Sequence, residues 1–123
     1  NLGVPGIGLL KNDGSENFIP HVIGSENSTI NDLKIKDLDN DGHNDLVFAS
    51  KESSLVGWVK NEGSSNFLPA ETLALGINSV DQIEITDIDN DNDLDIIAAS
   101  SESSNQAWLK NDGSTNFTPI QLG

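Results

Sequence analysis

The sequence predicts an all-β protein of four-stranded antiparallel blades, about two and a half repeats of roughly 50 residues each. Three observations carry this. Ten residues recur three times, KNDGSENFIP from Lys11 to Pro20, KNEGSSNFLP from Lys60 to Pro69 and KNDGSTNFTP from Lys110 to Pro119, with seven positions identical in all copies. An acidic element recurs twice at the same spacing, DLDNDGHNDL from Asp37 and DIDNDNDLDI from Asp87. Between them, short apolar runs alternate with turn residues, and no stretch of ten residues carries a helical pattern. Self-similarity at a fixed period marks stacked units, none of which buries its apolar faces alone.

The elements follow in order. Segments Asp32–Asp37 (DLKIKD) and Gln82–Asp87 (QIEITD) alternate apolar and polar residues, the period of a half-buried strand A. After each acidic loop, Leu46–Ser50 and Ile96–Ser100 are apolar on successive residues, which suits a strand B covered on both faces. A Ser-rich turn leads to strand C, Leu55–Lys60 and Ala107–Lys110. Asn-Asp-Gly or Asn-Glu-Gly then turns the chain tightly, because Asn and Gly tolerate positive φ. Strand D opens at Phe67 or Phe117, with Pro69 or Pro119 near its start, and a strand containing Pro belongs at a sheet edge. Four short antiparallel strands per repeat, the second buried and the fourth an edge, describe the blade of a β-propeller. Residues 1–24 then supply only strands C (Gly6–Lys11) and D (Phe18–Ile23) of a half-blade. Residues 25–75 make one full blade and 76–123 a second.

Composition narrows the function. Twenty acids against six bases, all Lys, give a formal charge of −14. There is no basic patch and no Arg fork for phosphate, which excludes nucleic acid as a partner. Nine of the twenty acids sit in the two acidic elements, so the charge reads as a set of cation sites rather than a solvating tail. Cys is absent, which excludes disulfides and thiol chemistry, and no apolar run reaches the 18 residues of a membrane span.

Asp37, Asp39, Asp41 and Asp45 occupy positions 1, 3, 5 and 9 of their loop, with Gly42 at position 6. Odd spacing on a tightly turning backbone directs several carboxylates at one centre. Hard oxygen ligands in that number suit Ca²⁺, whereas Mg²⁺ demands a stricter octahedron. His43, at position 7, is expected to contribute its backbone carbonyl and leave its imidazole free. The second loop offers Asp87, Asp89, Asp91 and Asp95, with Asn92 at the turn, while Asp93 occupies position 7 and its side chain is spare. Two Ca²⁺ ions per chain are expected. These are not EF-hands, since Phe48 and Ala98 stand where a bidentate Glu would be needed and the flanks are strands.

DLDNDGHNDLVFAS followed by VGWVKNEGSSNF resembles the VCBS/FG-GAP-type repeats of the integrin α-subunit propeller and of many secreted microbial proteins. The resemblance covers nearly the whole chain and implies calcium-loaded propeller blades with extracellular or cell-surface exposure, but no single biochemical activity. Two departures stand out: Asn92 replaces the loop glycine, and Leu9 stands where Trp58 and Trp108 stand in the other copies.

The remaining candidates weigh less. Trp58 and Trp108 recur once per blade and read as fillers between blades before they read as sugar platforms. His21 and His43 are unique to their repeats and read as incidental. No Ser-His-Asp spacing reads as a nucleophile, and Cys, Tyr and Arg are absent, so no enzyme is expected. Asn27 and Asn116 open Asn-X-Thr glycosylation signals, of which Asn116 lies in the repeated hairpin, where the same Asn serves the turn. The function expected is a calcium-stabilised extracellular structural or adhesive repeat protein. Unpaired edges at both ends predict a homo-oligomer joined head to tail through the N-terminal half-blade, as a filament or a ring. The alternatives are a glycan-binding lectin-like module and a fragment of a larger closed propeller.

Overall fold

A computed structural model describes residues 7–23, 29–64 and 66–122. Those residues form ten strands and no helix: β1 Ile7–Asn12, β2 Phe18–Ile23, β3 Asp32–Lys36, β4 Asp45–Ser50, β5 Leu55–Val59, β6 Glu71–Leu75, β7 Gln82–Thr86, β8 Asp95–Ala99, β9 Gln106–Asn111 and β10 Phe117–Gln121. They make a two-stranded sheet, β1-β2, and two four-stranded sheets, β3-β4-β5-β6 and β7-β8-β9-β10, with every pairing antiparallel. The all-β, propeller-type blade architecture read from the repeats is therefore present. The Asn27 glycosylation signal lies outside the described residues.

Each strand follows from its pattern. β4 is buried along its whole length, as its unbroken apolar run requires, and it lies between two other strands. β7 alternates exposed and buried residues, with Ile83 and Ile85 pointing into the core. Pro20 and Pro119 fall inside β2 and β10, which are edge strands, so no ladder bond is sacrificed. One strand departs from expectation. In the middle sheet Phe67 makes only an isolated bridge to Asn61, and β6 proper begins at Glu71 beyond Pro69. A register shift between Val56 and Gly57 accompanies the delay, the local mark of a bulge.

Two cores glue the sheets face to face. Val47, Ala49, Val56 and Trp58 of the middle sheet pack with Ile83, Ile85, Ile96, Ala98, Ala107 and Leu109 of the last. The opposite face of the middle sheet, through Leu46, Phe48 and Val59, packs against Ile7 and Leu9 of β1. Trp58 is buried between sheets, as a filler of that space should be, while its repeat-mate Trp108 is half-exposed where the last sheet ends. Sheet contact is tuned by volume: Phe48 lies opposite Gly57, whereas Ala98 lies opposite Ala107 at the matching pair.

Candidate metal centre

The loops between A and B strands take the same path twice. Asp37 opens the first by accepting the N–H groups of Asp41 at 3.1 Å (Oδ1) and Gly42 at 2.9 Å (Oδ2). Asp87 does the same for Asp91 at 3.1 Å and Asn92 at 2.9 Å. Such bonds force the backbone to wind around the carboxylate, and the winding needs positive φ: Asn40 and Asn90 at 59° and 62°, Gly42 and Asn92 at 91° and 75°. Asn92 thus adopts the conformation for which the first loop uses glycine.

The result brings three carboxylates together in each loop. One oxygen from each of Asp37, Asp39 and Asp45 lies within 4.8 Å of the others, and Asp87, Asp89 and Asp95 repeat the arrangement. Asp41 stands beside this group: its Oδ1 accepts the His43 N–H at 2.9 Å and its Oδ2 lies 3.4 Å from Lys60 Nζ. Asp91 matches it, accepting the Asp93 N–H at 3.0 Å with Lys110 Nζ at 3.6 Å. The side chains of His43 and Asp93 point elsewhere. The His43 ring and the Asp93 carboxylate lie over Gly63 and Gly113, each coming to 2.7 Å from where a Cβ on that glycine would sit. Those hairpin glycines also hold φ near +90° and +86°, so glycine is required there for space and for conformation.

Asp45 and Asp95 are fully buried. Both oxygens of Asp45 are held by backbone, Oδ2 by Leu38 N–H at 3.0 Å and Oδ1 by Asn61 N–H at 2.8 Å. Ile88 and Asn111 hold Asp95 at 3.2 and 2.8 Å. Burial pushes the Asp45 carboxyl above its ordinary range, against the pull of the Asn61 and Leu38 N–H groups. The His43 N–H, aided by Lys60, holds Asp41 below it.

Sequence reasoning missed two partners. Lys60 Nζ contacts Asp39 and Lys110 Nζ contacts Asp89, a tethered ammonium laid against each cluster. Asn61 and Asn111 brace the loops from the hairpin side, donating through Nδ2 to the carbonyls of Asn44 at 3.0 Å and Leu94 at 3.1 Å. The signal was present: the Lys-Asn pair recurs with the acidic loops, and pairing of Leu46 with Val59 sets Lys60 opposite Asp45.

The donor set is all oxygen, with no nitrogen or sulfur ligand among the convergent groups, which is the chemistry of a hard cation. One ammonium leaves most of the charge of four loop carboxylates uncompensated, so these residues fit a divalent ion.

The second glycosylation candidate serves the hairpin. Asn116 is exposed, and its Nδ2 donates to Asp112 Oδ2 at 2.9 Å. Asn17 and Asn66 do likewise, to Asp13 at 3.1 Å and Glu62 at 2.8 Å.

Propeller-type blades, each with an acidic loop between its first two strands, define a repeat protein. The family model described as "FG-GAP-like repeat" matches residues 37–98, half of the chain, and the chain belongs to that family. No curated protein matches it.

Proposed function

We propose that this chain is a non-enzymatic, calcium-stabilised module of an extracellular structural or adhesive protein, with one Ca²⁺ in each acidic loop and three carboxylates of each loop as its core ligands. The observation that carries the reading is the convergence of Asp37, Asp39 and Asp45, repeated by Asp87, Asp89 and Asp95. In this reading Asp41 and Asp91 share their carboxylates between the ion and the lysine, His43 and Asp93 contribute backbone carbonyls, and residues 25–75 and 76–123 act as the stacking units. No helix among the described residues is long and apolar enough to cross a membrane, and surfaces rich in Ca²⁺ sites suit a compartment where that ion is abundant.

Assembly through unlike ends follows from the same repeat logic. Leu109 is 0% exposed because the sheet before it covers it, while its repeat-mate Leu10 is 62% exposed. Phe18 is exposed in the same way, although Phe67 and Phe117 pack against the cores. At the other end Ile88, Ile97 and Trp108 lie open or half-open where Leu38, Val47 and Trp58 are covered. Among the described residues a front face and a back face that match within the chain are thus uncovered, which favours a heterologous head-to-tail contact. Calorimetric titration tests the metal reading. Two Ca²⁺ per chain and a lower melting temperature in EDTA are expected; no uptake, or an unchanged melt, overturns it.

A further inference from the structure

Among the described residues two buried side-chain nitrogens make no hydrogen bond, Nε1 of Trp58 and Nε1 of Trp108. A buried donor without an acceptor bears the full cost of leaving water, so a folded chain rarely keeps one. Here the same atom is orphaned twice, at matching places in two repeats. Recurrence makes it a feature of the repeating unit rather than a misfit of one core.

Strand register places both rings beside the acidic clusters. Trp58 pairs with Val47 and Trp108 with Ile97, two residues along each B strand from Asp45 and Asp95. Alternation puts each Trp on the same sheet face as that carboxylate, as its diagonal neighbour, a spacing that an aromatic side chain can span. The Trp58 indole is near enough to Asp45 to favour its ionised form, although Nε1 makes no hydrogen bond. Lys110 Nζ lies 5.4 Å from the centre of the Trp108 ring, over its face, while touching Asp89, which sets that indole beside the second cluster.

The buried carboxylates have room for these donors. A carboxylate offers about four acceptor positions. Leu38 and Asn61 N–H groups take two on Asp45, and Ile88 and Asn111 take two on Asp95. A cation needs one of the remainder, and the last matches a single N–H. We propose that the indole N–H groups of Trp58 and Trp108 are outer donors of the two metal centres, each accepted by Asp45 or Asp95 when its loop holds a cation. The inference rests on the calcium reading above. Neither tryptophan touches the ion; each is a positioning residue that pins the carboxylate which does. A hydrogen bond to an ionised acceptor is among the stronger ones, and donors placed behind a ligand hold its orientation. Because Trp58 also packs in the core between the two full sheets, occupancy of the first loop is felt directly at that interface.

The test follows the two indole N–H signals by ¹⁵N NMR while Ca²⁺ is titrated into the whole chain, with calorimetry run beside it. Each indole proton should move downfield and exchange about tenfold or more slowly, saturating with the ion of its own loop. Asp39→Ala, which leaves Asp45 in place, should silence Trp58 and spare Trp108. Trp58→benzothienylalanine puts sulfur where the N–H was and keeps the shape of the ring, so core packing survives and the lost signal assigns the pair. That variant should bind Ca²⁺ about tenfold more weakly at the first loop and within about twofold of the parent at the second. A role in packing alone would leave both affinities unchanged. No Ca²⁺ uptake by calorimetry overturns the calcium reading and this proposal with it. Uptake with both indole protons unmoved, or full affinity in the benzothienylalanine variant, overturns this proposal and leaves the calcium reading standing.

Discussion

The backbone N–H of Asn61 donates to Oδ1 of Asp45 at 2.8 Å, and Asn111 makes the same bond to Asp95 at 2.8 Å. Through this bond the two elements that repeat in the sequence become one device. The hairpin motif fixes the position-9 carboxylate from one side, and the loop backbone fixes it from the other. The same asparagines close their own turns by accepting the N–H of Gly63 and Gly113, both at 3.0 Å. A loop that would otherwise fly apart under its own charge is held in shape by neutral backbone donors.

Truncating those asparagines should therefore cost more than truncating the copy that holds no loop. Asn61→Ala and Asn111→Ala each lose the turn bond and the Nδ2 bond to the loop carbonyl, and each should cost about 1–3 kcal/mol, from two hydrogen bonds at about 0.5–1.5 kcal/mol apiece. Asn12→Ala loses only the bond from Gly14 N and should cost less than either. Denaturant midpoints at constant slope measure this. Equal losses at all three positions would show that the asparagine serves the turn alone.

Asp39→Ala and Asp89→Ala should each remove one Ca²⁺ and weaken their own sheet more than the other. The loops share no residue, so the double mutant should lose close to the sum of the singles. Loss of both ions from either single mutant would mean that the sites are coupled.

Much of this architecture could be read from residues. The period near 50 gave the stacking unit, alternation in QIEIT gave the inward face of β7, and the Pro positions gave the edges. What stayed hidden needed three dimensions. Lys60 is 21 residues from Asp39, and only the pairing of β4 with β5 brings them together. The late start of β6 depends on a register shift at Val56 and Gly57, which local pattern does not encode. Exposure of Ile35 against burial of Ile85 reflects what a neighbouring sheet covers, although the two strands carry the same pattern.

The lysines should set the balance between the metal-free and metal-bound chains. Lys60 lies on Asp39 and Asp41 and offsets part of their repulsion, yet its charge opposes a second cation. Lys60→Met should lower the melting temperature in EDTA and raise the Ca²⁺ affinity of the first loop, so that added calcium shifts the melt further than in the parent. Lys110→Met should do the same at the second loop. A variant that binds calcium more weakly would show that the lysine organises the site rather than competing for it.

Acid should unfasten the hairpins only below the pH at which an ordinary carboxyl takes up its proton. Asp112 is held below the ordinary 3.8 chiefly by Asn116 Nδ2 and then by the Ser114 N–H, and Asp13 likewise by the Ser15 N–H and then by Asn17. A carboxyl lowered by folding contributes stability that is present above its unfolded value and is lost as pH falls through its folded value. Both groups are fully exposed, so the effect is a slope confined to the region below pH 3.8. Carboxyl NMR titration should find both midpoints under 3.8, and Asp112→Asn should flatten the acid limb of stability. Midpoints at or above that value would remove the hydrogen bonds from the account.

The sheet faces offer the sharpest test of packing. A Cβ at Gly57 would come within 2.3 Å of the Phe48 ring, in a core where Phe48 is 1% exposed. At the matching pair of the last sheet, Ala98 and Ala107 divide the same space differently. Gly57→Ala should thus overpack the middle sheet and cost about 1–3 kcal/mol. Phe48→Ala alone should leave a void and cost about 3–5 kcal/mol. Combining them rebuilds the pair found in the last sheet, so the double mutant should lose less than the sum of the singles, by a coupling of about 0.5–3 kcal/mol. Thermal or denaturant unfolding of the three variants measures that coupling. Strict additivity would mean that β4 and β5 relax apart and that the Gly57–Phe48 contact does not set their spacing.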